Sequence, residues 1–104
     1  MKFLCLAFED KDGWASLNDD EKSNVLAQDS VLRGSGATVV ALRPQVTSVR
    51  NCGKYLEVSD GPHQAGLALA GFYIIEAERV ATVVELVANT PCARAKGVIE
   101  IHPF

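Results

Sequence analysis

The chain has no run of basic residues and no long apolar segment. Its 10 Lys and Arg residues are scattered among 13 Asp and Glu residues, for a net charge of -3. This charge argues against nucleic acid as the main partner, because phosphate binding needs a clustered basic surface. The apolar runs are far shorter than the ~20 residues that span a bilayer, and the N-terminus lacks the features of a signal peptide. These absences predict a soluble, cytoplasmic protein that binds neither nucleic acid nor membrane.

Metal-ligating and nucleophilic residues are also few. The chain has 2 histidines, and its 3 cysteines are spaced unlike a metal knuckle or a CxxC redox motif. The Gly-Ser-Gly segment at 34–36 lacks the spacing and the lysine of a phosphate-binding loop. The sequence therefore predicts no metal and no cofactor.

Cys5 lies in an apolar segment and is expected to be a small core residue, whereas Cys52 and Cys92 are possible reactive thiols.

The 104 residues are enough for one domain with one core, and 48% of them are hydrophobic. Asn18 and Glu21 form a capping-box pattern that predicts the start of a helix ending near Arg33. A second, amphipathic helix is predicted over 79–89, with Val80, Val83, Val84 and Val87 on one face. Strands are predicted over 2–8, 38–42, 70–76 and 97–102, and a hairpin over 46–50 and 55–58 with its turn at 51–54.

Without the hairpin, the order is βαββαβ, which predicts an α+β fold of the ferredoxin-like type with two helices on one sheet face. The strands are apolar at odd and even positions alike, for example over 3–8, 37–42 and 72–75. An antiparallel sheet exposed to water on one face should instead alternate apolar and polar residues. We therefore predict a homodimer in which the open faces of two sheets meet. The alternative is that the hairpin or the C-terminus folds over that face.

Two segments carry a family resemblance. Ser59-Asp60-Gly61-Pro62-His63 and the later Leu-Ala-Gly-Phe-Tyr at 69–73 resemble the signature of the YCII-related family, in particular its DGPF-type members. The opening strand, the first helix around Asp29 and the segments 91–94 and 98–101 are similar to that family as well. The resemblance implies a dimeric α+β barrel. The chain departs from the family pattern at His63, where the family has phenylalanine, and at 64–68, which lacks the family's acidic and lysine side chains.

Asp60 and His63 are the first candidate catalytic residues. If their side chains approach, Asp60 would orient the imidazole and raise its pKa, which would give a general acid or base near neutral pH. We then expect both to lie at the rim of a pocket. The alternative is a plain turn, in which Asp60 caps the backbone, Gly61 supplies a positive φ and Pro62 fixes the next φ.

Asp29 is the third candidate catalytic residue, because it falls among the inward positions Val25, Leu26 and Leu32 of the first helix. A carboxylate there needs a partner, and the alternative to a catalytic role is an ion pair with Arg33 four residues on.

Arg43, Arg50 and Tyr73 are candidate ligand-binding residues, the two arginines for an anion. The resemblance adds a hypothesis for the carboxylates, since other YCII-related proteins have been proposed to use a His and Asp pair across the sheet cavity. Asp29 and Asp60 are thus both potential partners of His63. His102, near the C-terminus, is predicted to lie at the surface or at a dimer edge.

Two functions from different classes fit the sequence. One is a small cofactor-free enzyme of the lyase or isomerase type, acting on a small molecule in a sheet-lined cavity. The other is a non-catalytic dimeric binding or regulatory accessory, which the resemblance associates with extracytoplasmic-function sigma factors. The fold is compatible with both.

Overall fold

A computed structural model describes residues 1–51, 56–64 and 66–104. The strands are β1 (Lys2–Glu9), β2 (Thr38–Ala41), β3 (Thr47–Arg50), β4 (Glu57–Asp60), β5 (Ala68–Glu76) and β6 (Val98–Pro103). The helices are α1 (Lys11–Ala15), α2 (Asp19–Gly34), α3 (Val80–Val87) and α4 (Pro91–Arg94). In the described residues, no helix is long and apolar enough to cross a bilayer.

Four strands form one antiparallel sheet in the order β2-β5-β1-β6, while β3 and β4 pair as a separate two-stranded sheet. β1 lies between β5 and β6 and is antiparallel to both. The α+β class is confirmed, and this strand order is compatible with a ferredoxin-like fold. The predicted hairpin strands are present as β3 and β4, and its predicted turn falls largely on residues that the structure does not describe.

One face of the sheet holds the core. Alternate residues of the two central strands point to this face, where Leu32 of α2 and Val83 and Val87 of α3 pack against them. The sheet side chains of this core cluster are Phe3, Cys5, Ala7, Tyr73 and Ile75. Both long helices therefore cover the same face of the sheet.

The opposite face is defined by the residues that alternate with the core set, and we call it the open face. It comprises Leu4, Leu6, Phe8, Phe72 and Ile74, all half-buried within the single chain. The C-terminal strand does not cover this face, because β6 pairs edge to edge with β1. The hairpin forms a sheet of its own. The open face is as apolar as the sequence predicted.

The helix starts are fixed locally. Asn18 and Glu21 form the predicted capping box, with Asn18 Oδ1 accepting from Glu21 N at 2.8 Å and Glu21 Oε1 accepting from Asn18 N at 3.0 Å. The short helices α1 and α4 were not predicted. Asp10 caps α1 by accepting a hydrogen bond from Gly13 N at 2.7 Å, and Pro91 opens α4 at its first turn.

The predicted apolar faces of the helices are only partly buried. In α3, Val83 and Val87 are buried, but Val80 and Val84 are exposed. The reason is geometric: Val84 follows Val83 by about 100° around the helix axis, which turns it away from the sheet. Leu26 of α2 is likewise exposed.

Candidate functional site

A cleft of about 230 Å³ opens between α2 and the end of the sheet where β1 finishes and β5 begins. Its floor is formed by β1, β2 and β5, and its wall by α2, with Trp14 and Pro91 at the sides. The lining residues are Ala7, Glu9, Trp14, Leu26, Asp29, Arg33, Val39, Val40, Ala41, Ala70, Gly71, Phe72, Tyr73 and Pro91. The cleft is smaller than the about 300–1,000 Å³ that is usual for drug-sized ligands, so it suits a small metabolite.

The central polar contact of the cleft joins a helix to a strand. The Tyr73 hydroxyl of β5 donates a hydrogen bond to Asp29 Oδ1 of α2 at 2.9 Å. Tyr73 is buried and Asp29 half-buried. The contact satisfies the carboxylate that the sequence placed at an inward position, where it would be costly without a partner.

Burial and charge keep the phenol protonated. Burial raises the pKa of Tyr73 above its usual range, and the hydrogen bond to Asp29 and the charge of that carboxylate raise it further. Tyr73 therefore remains a hydrogen-bond donor to Asp29 at neutral pH. In the described part of the chain, no hydrogen bond occupies Asp29 Oδ2, which leaves an acceptor at the wall of the cleft.

The cleft also carries a cation and an aromatic ring. Arg33 lies four residues after Asp29 on α2, and both line the cleft. Trp14 also lines the cleft, and Lys22 Nζ lies 5.5 Å from the centroid of its ring. A guanidinium beside a carboxylate and an indole can bind a small molecule that has an anionic group and an apolar part.

The structure brings together two of the six predicted site residues. Asp29 and Tyr73 form the hydrogen-bonded pair of the cleft. The predicted alternative for Asp29, an ion pair with Arg33 within 4 Å, is not formed among the described residues. His102 lies at the surface, where its Nε2 is 3.1 Å from Glu100 Oε1. Sequence reasoning considered Arg33 only as an ion-pair partner and missed it as a lining residue, although its spacing from Asp29 indicated a shared helix face.

The other four candidates lie outside the cleft. Asp60, His63, Arg43 and Arg50 are exposed, and none of them lines it. The expected position of Asp60 and His63 at the rim of a pocket stays a prediction. No hydrogen bond joins these two described residues.

At Gly61 the backbone has the conformation that the alternative interpretation of this segment predicts. Gly61 adopts a φ of +103°, and its N–H donates to Val46 O at 2.8 Å. The Gly61 carbonyl in turn accepts a hydrogen bond from the Ser48 hydroxyl at 2.6 Å. The structural role assigned to Gly61 is thus confirmed, and the turn closes the base of the hairpin.

Residues 1–51, 56–64 and 66–104 contain no group of three or more His, Cys, Asp or Glu side chains that could hold a metal ion. Cys5 is buried in the core cluster, as predicted. Cys92 of α4 is half-buried, and Cys52 lies outside the described residues.

Cys92 should react slowly with alkylating agents at neutral pH. Burial raises its pKa from 9.0 to about 11, and the negative charges of Glu9 and Asp29 contribute to the rise. In a Cys52→Ser background, the iodoacetamide reaction at Cys92 should reach half its maximal rate at a pH of about 11. Asp29→Asn should lower that midpoint, because it removes a negative charge that disfavours the thiolate.

The matched control for this titration is Asp60→Asn, which removes an exposed carboxylate outside the cleft and should leave the midpoint unchanged. Peptide mapping by mass spectrometry identifies the alkylated cysteine. A midpoint near the ordinary thiol value of 9.0 would contradict the described environment.

Comparison with known proteins agrees with the sequence resemblance. Among curated proteins, the search found no significant match. The family model described as the YCII-related domain matches residues 1–104, and the protein therefore belongs to the YCII-related family.

Proposed function

We propose that the protein is a small cofactor-free enzyme of the lyase or isomerase type, which moves a proton on a small anionic molecule bound in the cleft. The observation that carries the proposal is the 2.9 Å hydrogen bond between Tyr73 and Asp29 at the cleft wall. This hydrogen bond fixes the orientation of the Asp29 carboxylate, because one of the two carboxylate oxygens accepts from the Tyr73 hydroxyl. Such a fixed carboxylate is suited to act as a general base.

The proposed chemistry uses three side chains in different roles. Arg33 binds the anionic group of the substrate, and Asp29 accepts a proton from the adjacent carbon, so that a C–H bond breaks and an O–H bond forms. Tyr73 is a positioning residue that keeps the Asp29 carboxylate in place. In an elimination, the electron pair expels a leaving group from the next carbon; in an isomerisation, Asp29 returns the proton to a different carbon.

The proposal also includes a homodimer formed through the open face. Its support is the set of large apolar side chains on that face, which the helices of the same chain leave uncovered. Asp60 and His63 remain proposed site residues in this assembly only, because they lie outside the cleft of the single chain.

The test is a thermal-shift screen of small carboxylic acids, followed by turnover assays on the compounds that bind. A ligand at 100 times its dissociation constant should add about 2.7 kcal/mol of stability. For a converted ligand, Asp29→Asn should lower kcat by about 10²–10⁴-fold, because it removes the base. Tyr73→Phe should lower kcat less and leave KM nearly unchanged.

Arg33→Gln should instead raise KM, since Arg33 binds the anionic group. Its matched control is Arg43→Gln, which removes the same charge from an exposed position outside the cleft and should behave like the wild type. Full turnover in Asp29→Asn would refute the proposed base. Equal effects of the two arginine substitutions would refute the anion site.

The alternative function is a non-catalytic dimeric binding or regulatory accessory. It is favoured by the amount of apolar surface that the chain leaves uncovered outside the cleft, including Val49 and Val58 of the hairpin. Under this alternative, ligands would raise the melting temperature in an Arg33-dependent way, but none would be converted.

A further inference from the structure

A second cleft, of about 300 Å³, lies against a different part of α2 and shares no lining residue with the cleft that holds Asp29. We call it the Arg94 cleft. Its lining residues come from α2, from α4 and from the segments that precede these helices: Leu17, Glu21, Asn24, Val25, Asn89 and Arg94. Its volume is at the lower end of the about 300–1,000 Å³ that is usual for small-molecule sites. None of its residues has a role in the proposed function.

The Arg94 cleft carries one negative and one positive side chain that do not pair with each other. Glu21 and Arg94 both line it, yet no ion pair within 4 Å joins them among the described residues. Opposite charges that line one cleft and stay apart can each pair with a molecule bound between them. Such a molecule would carry both a carboxylate and an ammonium group.

The carboxylate of Glu21 is held in place and still has a vacant acceptor. Its Oε1 accepts a hydrogen bond from Asn18 N at 3.0 Å, as part of the capping box of α2. Within the described residues, no hydrogen bond occupies Glu21 Oε2. A bound ammonium group can therefore donate to this oxygen without disturbing the start of the helix.

The remaining lining residues supply amides and an apolar surface. Asn24 lies three residues after Glu21 on the same helix face, and Asn89 lies in the connection between α3 and α4. A side-chain amide both donates and accepts hydrogen bonds, so it can bind a carboxylate or an ammonium group. Val25 is 7% exposed and Leu17 half-buried, and both can contact an apolar group of the ligand.

We infer that the Arg94 cleft binds a free α-amino acid with an apolar side chain. The carboxylate of the amino acid pairs with Arg94, its ammonium group with Glu21, and its side chain contacts Leu17 and Val25. A dicarboxylate would place one negative charge against Glu21, and a diamine would place one positive charge against Arg94. The site is separate from the Asp29 cleft, so this inference does not depend on the proposed function.

The test is a titration of the full chain with leucine at neutral pH, followed by two-dimensional nitrogen–proton NMR. A molecule of this size in an open cleft should bind with a dissociation constant on the order of 1 mM. The amide signals of residues 17–25 and 89–94 should shift, whereas those of Glu9 and Gly71 in the Asp29 cleft should not. Isocaproate, which is leucine without its ammonium group, and isoamylamine, which is leucine without its carboxylate, should each bind at least ~10-fold more weakly.

Two charge-removing variants assign the two ends of the ligand. Arg94→Gln should raise the dissociation constant of leucine at least ~10-fold, and the matched control Arg43→Gln, outside both clefts, should leave it unchanged. Glu21→Gln should weaken leucine but not isocaproate, because isocaproate has no ammonium group to lose a partner. Glutamine can also complete a capping box, so this variant should fold, which circular dichroism checks.

Three results would overturn the inference. One is the absence of shifts at the Arg94 cleft with leucine at about 20 mM. Another is an equal effect of Arg94→Gln and Arg43→Gln, or an equal effect of Glu21→Gln on leucine and isocaproate. The third is a set of leucine-induced shifts that fall on the Asp29 cleft instead. None of these results would count against the proposed function, which uses the Asp29 cleft alone.

Discussion

Ile74→Asp should give a folded monomer, whereas Ile75→Asp should unfold the chain. The two isoleucines are consecutive residues of β5 and point to opposite faces of the sheet. Ile75 is 3% exposed and belongs to the core cluster with Phe3, Leu32 and Val83. Ile74 lies on the open face, where the proposed partner would cover it.

The expected magnitudes differ because the two environments differ. An unpaired carboxylate at position 75 would be buried among apolar side chains, which should cost more than ~4 kcal/mol, a large part of the total stability of a small domain. At position 74 the carboxylate can reach water in the monomer, so folding should survive and association should fail. Circular dichroism reports the folding of each variant, and light scattering its mass.

The same comparison can be made on β2. Val39 packs against the core cluster, and Val40, the next residue, points to the opposite face of the sheet. Val39→Asp should lower stability, and Val40→Asp should lower association. A dimeric Ile74→Asp variant with an unchanged dissociation constant would refute the open-face contact. An Ile75→Asp variant that remained folded would contradict the position of the core.

Local features of the fold were predictable because their causes are local. Asn18 and Glu21 satisfy each other's backbone donors within one turn, so the start of α2 follows from four residues of sequence. The apolar side chains on both faces of β1 and β5 could also be predicted, because they can be read from short segments of sequence. By contrast, α1 and α4 have only five and four residues and are too short to show helical periodicity, so the sequence did not predict them.

The site was only half predictable for a related reason. The sequence placed Asp29 on an inward face and Tyr73 on a strand, but they are 44 residues apart, and their hydrogen bond depends on how α2 lies across the sheet. Asp60 and His63 were paired because they are close in sequence. Residues that are close in sequence need not bring their side chains together when the segment lies at the surface. Asp60 and His63 are both exposed.

Gly71→Ala should destabilise the protein, whereas Gly34→Ala should stabilise it slightly. Gly71 lies on β5 in the floor of the cleft, and a Cβ there would lie 2.4 Å from Val40 O and 3.4 Å from Ala41 Cα. Both neighbours are backbone atoms of β2, so relief requires the edge strand to move. At Gly34, the last residue of α2, an added methyl group would meet no atom within 4 Å.

The two substitutions add the same methyl group, so the difference in their effects isolates the close approach of β2 to β5. Overpacking at Gly71 should cost about 2–3 kcal/mol, even after the gain of about 0.4–1 kcal/mol from a stiffer unfolded chain. At Gly34 the stiffer unfolded chain and the better helix propensity of alanine should together raise the free energy of unfolding by about 0.5–1 kcal/mol. Urea unfolding at one fixed protein concentration measures both, since the stability of the proposed dimer would depend on concentration. A Gly71→Ala variant as stable as the wild type would mean that β2 is not held this close to β5. The part of the cleft floor formed by Val39, Val40 and Ala41 would then lie elsewhere.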